Sequence, residues 1–172
     1  MSAEHNLLGI RYEFGAGPLS FLDLMYLYQP PEQINCQAAL QLFTYFVRGQ
    51  LMLPYEALSQ EGYQSLGRPI KLFEGSQFFA GLEFGDIIYA KRRKRETVLI
   101  GYTPEQQLHV SVYLGLASSL AVRTYFPTSS LQFEEKDHLI YHATVIGKKS
   151  TLWTVETFFN HYKPLIAKRL SG

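Results

Sequence analysis

The sequence predicts an α+β fold, with early helices packed on a mainly antiparallel β-sheet, and three observations predict it. Residues 36–48 carry apolar side chains at helical spacing, whereas 108–114 and 138–146 alternate with the period of a strand. The clearest helix precedes the run of strands rather than alternating with them. The 172 residues are 47% apolar and 18% charged, which is one domain's length and too apolar for a disordered chain. With no repeat, linker or low-complexity stretch, a single domain is expected over 1–172.

Each element has a local reason. Pro30 and Pro31 stop what precedes them, and Asn35 suits a helix N-cap. From Cys36 to Arg48 the residues Ala39, Leu42, Phe43, Phe46 and Val47 recur at helical spacing, and Gly49 is a natural stop. Pro54 suits the first turn of a second helix, expected over 54–66. Strands are expected at 82–90 and 97–102, flanking the basic connection Lys91-Arg92-Arg93-Lys94-Arg95. In 108–114, Leu108, Val110, Val112 and Leu114 face one way and His109, Ser111 and Tyr113 the other. In the strand at 138–146, Ile140, His142 and Thr144 share a face. A short amphipathic helix is expected at 154–162, and Pro164 separates it from a last strand at 165–170. No element is assigned over 116–136.

Composition excludes several function classes. Sixteen basic against fifteen acidic residues give a net charge of +1, so no overall field attracts nucleic acid. The basic run at 91–95 lacks interleaved stacking aromatics and reads as a solvated hairpin. One cysteine allows no internal disulfide and no four-thiolate zinc site. Gly-rich phosphate loops are absent, and neither a cofactor nor a metal is expected. No apolar run approaches the ~20 residues of a membrane span, and the N-terminus lacks the flank and core of a secretory signal, so a cytoplasmic or non-classically delivered protein is expected, or a cell-wall or extracellular one if the start is trimmed. The sequence leaves the oligomeric state open.

Cys36 sits in the first turn of its expected helix, where unpaired N–H groups and the helix dipole favour a thiolate. A thiolate beside an imidazole attacks carbonyl carbon, and a further polar group orients the ring. Of the five histidines, His109 and His142 each stand within an otherwise apolar strand. Taken singly, each of these residues is more often a core residue than a catalyst.

Several blocks, in order, resemble the NlpC-type papain-like cysteine peptidases that cleave bacterial cell walls. Gly9-Ile10-Arg11-Tyr12-Glu13-Phe14-Gly15 is similar to their opening Gly-x-x-Tyr-x-x-Gly, and Asn35-Cys36 stands where they have Asp-Cys-Ser-Gly. Leu53-Pro54 with Ser59 and Gln60 resembles Leu-Pro-Arg-x-Ser-x-x-Gln, and Gly85-Asp86-Ile87 resembles Gly-Asp-Leu. His109-Val110-Ser111-Val112-Tyr113-Leu114-Gly115 is similar to His-Val-Gly-Ile-Tyr-Leu-Gly, and Ile140-Tyr141-His142-Ala143 resembles Ile-His-Ala. The resemblance implies a papain-like fold, Cys36 as nucleophile, His109 as general base and then acid, and His142 as the ring-orienting third member. Tyr12 is implied at the oxyanion site, with Asn35 and Gln37 beside the substrate. The implied reaction is amide hydrolysis through an acyl-enzyme, on a peptide or peptidoglycan stem peptide.

Asn35 replaces the family's Asp, and Gln37-Ala38 replaces Ser-Gly. Insertions are expected at 18–34 and 116–136, which opens the oxyanion role to Tyr26 or Tyr28 and the third position to His138. Permuted relatives of the fold, which include acyltransferases, place the histidine strand before the cysteine helix; here Cys36 comes first. An amidase or deamidase acting on a non-wall substrate, and a binding module with a remnant triad, are the other readings.

Overall fold

The computed structural model describes residues 2–52, 66–73, 75, 78, 80–93 and 108–170. One eight-stranded sheet organises them, in the order β2-β1-β7-β6-β5-β4-β8-β3. Its strands are β1 (Arg11–Tyr12), β2 (Gln33–Ile34), β3 (Arg68–Ile70), β4 (Ile87–Arg92), β5 (Leu108–Leu116), β6 (His138–Thr144), β7 (Lys149–Thr154) and β8 (Tyr162–Arg169). Every pairing is antiparallel except β1 with β2. The α-helices are α1 (Glu4–Leu7), α2 (Phe21–Met25), α3 (Cys36–Arg48), α4 (Leu120–Tyr125) and α5 (Val155–His161). The α+β class and the mainly antiparallel sheet are therefore as the sequence predicts.

Helix α3 has the predicted bounds for the predicted reasons. The Asn35 side chain accepts a hydrogen bond from the Ala38 N–H at 2.9 Å, and Gly49 closes the helix in the left-handed region at φ 66°. Its inner face buries Ala39, Leu42 and Phe43 against Val110, Val112 and Tyr141 of the sheet. Full burial of a Leu or Phe side chain is worth roughly 1.5–3 kcal/mol, so packing rather than propensity holds this helix in place.

The two faces of the sheet carry separate cores. Ile87, Tyr89, Val110, Val112 and Tyr141 join the α3 core. Ile88, Ala90, Tyr113 and Ile140 join a second cluster with Phe158 and Tyr162. In β5 the alternation is that of the sequence, but both of its faces are buried rather than one.

Several boundaries differ from expectation. β4 begins at Ile87, not 82, because the preceding residues form a turn: Gly85 takes φ 92° and the Asp86 carboxylate accepts the Glu83 N–H at 2.8 Å. β4 also runs on through Arg92, so Lys91 and Arg92 are strand residues rather than part of a solvated connection. β8 starts at Tyr162 and passes through Pro164. The register slips between Tyr89 and Ala90 opposite it, and such an irregularity tolerates a residue without an N–H. β7 has no counterpart in the sequence reading, and the strand expected at 138–146 ends at Thr144. The 116–136 segment holds α4 and a 3₁₀ turn at Ser129–Gln132. The helix expected at 54–66 (all but Leu66) and the strand at 97–102 lie outside the described residues.

Replacing Asn35 by Ala removes the cap and should cost about 1 kcal/mol of stability, while Asn35→Asp should stay within about 0.5 kcal/mol of the parent. Urea unfolding checks both values; no loss in Asn35→Ala would show that the cap contributes nothing.

Candidate active site

One end of the sheet collects the chemistry. In the antiparallel order, the end of β4, the start of β5, the end of β6 and the start of β8 lie side by side, bringing Arg92, His109, Thr144 and Tyr162 together. At this end β5 and β6 part: their pairing runs from Leu116–His138 to Val112–Tyr141 and is not continued to His109. His109 and His142 face each other across that opening, His109 Nε2 to His142 Nδ1 at 2.8 Å, with ring centroids 5.0 Å apart.

The pair is clamped by aromatics. Tyr162 stacks on the His109 ring at 4.2 Å with 14° between planes, and its hydroxyl is hydrogen-bonded to that of Thr144. Trp153 meets His142 edge to face at 4.3 Å, and Phe158 tilts against both rings. His109 is 5% and His142 1% exposed, so neither imidazole exchanges freely with water. Two neutral rings sharing one hydrogen bond have two tautomeric arrangements. If His109 donates from Nε2, its Nδ1 keeps a lone pair and His142 carries its proton on Nε2, an atom that is buried without a hydrogen-bond partner.

Cys36 reaches this end from the other side of the sheet. It opens α3 and packs in the α3 core with Val110, the neighbour of His109. Its side chain sits against backbone donors of Val110, Cys36 and Gln37, which favour the thiolate, but burial outweighs them and pushes the thiol up to about 11. The described residues show no hydrogen bond between the sulfur and either imidazole. Burial, with the Arg92 charge added, holds His109 down to about 3, and burial followed by His109 and His161 holds His142 well below the ordinary imidazole value. Thiol and imidazoles therefore rest neutral, not as the thiolate–imidazolium pair that a helix-start cysteine suggests.

The remaining predicted residues divide. Tyr12 is half-buried and within electrostatic reach of Cys36, Tyr162 and Arg92; burial and then the Cys36 charge raise its pKa. Tyr26 and Tyr28 are exposed by 61% and 90% on the α2 segment. The Asn35 side-chain oxygen is committed to the helix cap rather than to a substrate. Gln37 is half-buried in the first turn of α3. His138 cannot serve as a third member. It begins β6 at the opposite end of the sheet, where its Nδ1 bonds the Tyr113 hydroxyl at 2.7 Å.

Sequence reasoning missed Arg92, Tyr162, Thr144 and Trp153 as surroundings of the site. The available signal was parity: Arg92 stands two and four residues after Ala90 and Ile88, on the face that also carries His109. No group of three or more His, Cys, Asp or Glu side chains able to hold a metal occurs among the described residues. No helix among them is long and apolar enough to cross a membrane. No family profile, curated protein or solved structure matches this chain.

The buried neutral histidines couple folding to pH. Their folded pKa values lie below the free value of 6.5, so the unfolded chain binds protons first. The resulting stability is complete above about pH 6.5 and is lost as pH falls toward the folded value. The urea midpoint should fall between pH 7 and pH 4.5, and fall less steeply in His109→Gln; a midpoint flat over that window in the parent would contradict buried neutral rings.

Proposed function

We propose that this protein is a cysteine hydrolase that cleaves amide bonds through an acyl-enzyme, with Cys36 as nucleophile, His109 as general base and His142 as the residue that fixes the His109 ring. The observation that carries this reading is the His109–His142 hydrogen bond, buried at the end of the sheet where the Cys36 helix begins. Such a pair has a direct chemical use. With Nε2 committed to His142, Nδ1 is the only ring nitrogen of His109 left to take a proton.

In the proposed reaction the thiol proton passes to His109 Nδ1 as sulfur attacks the carbonyl carbon. The tetrahedral oxyanion collapses, the C–N bond breaks, and the amine leaves with the proton held by His109. Water then gives a proton to Nδ1, attacks the thioester, and releases the acid and the free thiol. Tyr12, close to the sulfur and protonated throughout the neutral range, is suited to donate to the oxyanion. Because thiol and imidazole rest neutral, the base acts during attack instead of storing a preformed thiolate.

The order of blocks resembling NlpC-type peptidases supports a papain-like arrangement and a peptidoglycan stem peptide as substrate. A second reading has its own support: burial of the sulfur, with the residue only 8% exposed, suits a binding module whose triad is a remnant.

Incubation with purified stem peptides, followed by mass spectrometry of both peptide and protein, separates the two. The hydrolase reading predicts cleaved peptide and an acyl adduct on Cys36, with no turnover in Cys36→Ala and an unchanged circular-dichroism spectrum. His109→Ala should lose roughly 10²–10⁴ in rate, the usual contribution of a positioned base. Absence of cleavage and adduct across peptide, isopeptide and side-chain amide substrates would favour the binding module.

A further inference from the structure

The net charge of +1 conceals a separation of charge along the strands. Five exposed cations stand at the end of the sheet where β4 finishes and β5 begins. They are Arg11 on β1, Lys148 in the β6–β7 turn, Lys149 at the start of β7, Lys91 on β4 and Lys163 on β8. Glu13 and Glu32, beside β1 and β2, are acids at this end. Glu83, Asp86, Glu134, Glu135, Asp137 and Glu156 sit at the opposite end, before β4, before β6 and after β7. The ion pairs among the described residues, Lys136–Glu134 and Arg169 with Glu83 and Asp86, include none of the five cations.

The register sets these cations against one another. Arg11 stands directly opposite Lys149, and Lys91 directly opposite Lys163. Like charges so placed weaken a ladder, and an external anion relieves that repulsion. Lys148 adds a local strain: at φ 61° it is the one non-glycine residue with a positive φ among the described residues. Glycine and asparagine fit that left-handed region better than lysine does. One end of the sheet therefore holds three features that oppose folding, and all three hold positive charge at the surface.

We propose that this end of the sheet docks on an anionic lipid surface. The cations form two groups, one on β1 and β7 and one on β4 and β8, and three strand spacings of roughly 4.8 Å each separate β7 from β4. A headgroup layer meets both groups at once, whereas a short acidic segment meets one. Four of the five are lysines, point charges that suit a diffuse anionic layer; arginine is the residue for paired bonds to a single phosphate. The exposed aromatics of the described chain, Phe21, Tyr26, Tyr28 and Phe73, lie on other elements, so no stacking platform for single-stranded nucleic acid interleaves with the cations. Basic clusters of this size bind anionic bilayers by charge alone. The docking surface requires no catalysis by Cys36 and stands apart from the hydrolase reading.

Co-sedimentation of the 172-residue chain with lipid vesicles tests this directly. Vesicles of phosphatidylcholine with about 30% phosphatidylserine are compared with phosphatidylcholine alone, at about 0.05 M and about 0.3 M salt. The proposal predicts binding to the anionic vesicles about tenfold or more tighter than to the neutral ones, and its loss at the higher salt. One cation near an anionic bilayer is worth about fivefold, so Lys163→Gln should weaken binding about fivefold and Lys91→Gln with Lys163→Gln about twentyfold. Lys136→Gln removes the same charge at the opposite end and should leave binding unchanged.

Lys148→Asn separates docking from folding. Asparagine tolerates the left-handed region, so this variant should keep or raise the urea midpoint while vesicle binding weakens about fivefold. Failure to bind anionic vesicles at the lower salt, or equal binding to both vesicles, would overturn the proposal. Equal losses in Lys163→Gln and Lys136→Gln would do the same, because the charge would then act without regard to place. Tighter binding to a duplex DNA fragment or to polyglutamate than to anionic vesicles, at the same salt, would also overturn it.

Discussion

A single hydrogen bond between two buried imidazoles organises this molecule's chemistry. His109 and His142 come from adjacent strands and meet where those strands stop pairing, so ring-to-ring bonding replaces the ladder bonds missing there. Around it the chain supplies a stacked tyrosine, an edge-on tryptophan and a phenylalanine, all from β7, α5 and β8. Phe158 and Tyr162 belong to the second core, and Trp153 packs against it, so that core supports the pair directly. The proposed chemistry starts from the fact that one nitrogen of His109 is already committed.

The electrostatics follow from the same burial. Removing two imidazoles and a thiol from water disfavours every charged form among them, and Arg92 adds to the effect at His109. The thiol and both imidazoles therefore rest uncharged. For a hydrolase this implies proton transfer concerted with attack.

Much of this was legible in the sequence, for reasons visible in individual residues. Helix α3 announced itself because its cap, its apolar spacing and its terminal glycine all agree. His109 and His142 stood out as polar residues in apolar strands, and the structure brings them together. Arg92 did not, because five consecutive basic residues read as solvent-facing, and only its strand neighbours reveal which way it lies. Pro164 misled for a similar reason: a proline signals a break unless the partner strand carries an irregularity, which no local pattern encodes. The neutral state of Cys36 was also hidden. Helix-start position predicts a low pKa, while burial among Val110, Ala39 and their neighbours, a tertiary property, decides it.

The most direct test is nitrogen-15 NMR of the imidazole rings of His109 and His142, assigned by substitution, across pH 5–8. The account predicts that both rings stay neutral throughout, with the proton on Nε2 of each, so that His109 Nδ1 holds a free lone pair. A proton resting on His109 Nδ1, or a ring that titrates near the free value of about 6.5, would contradict it.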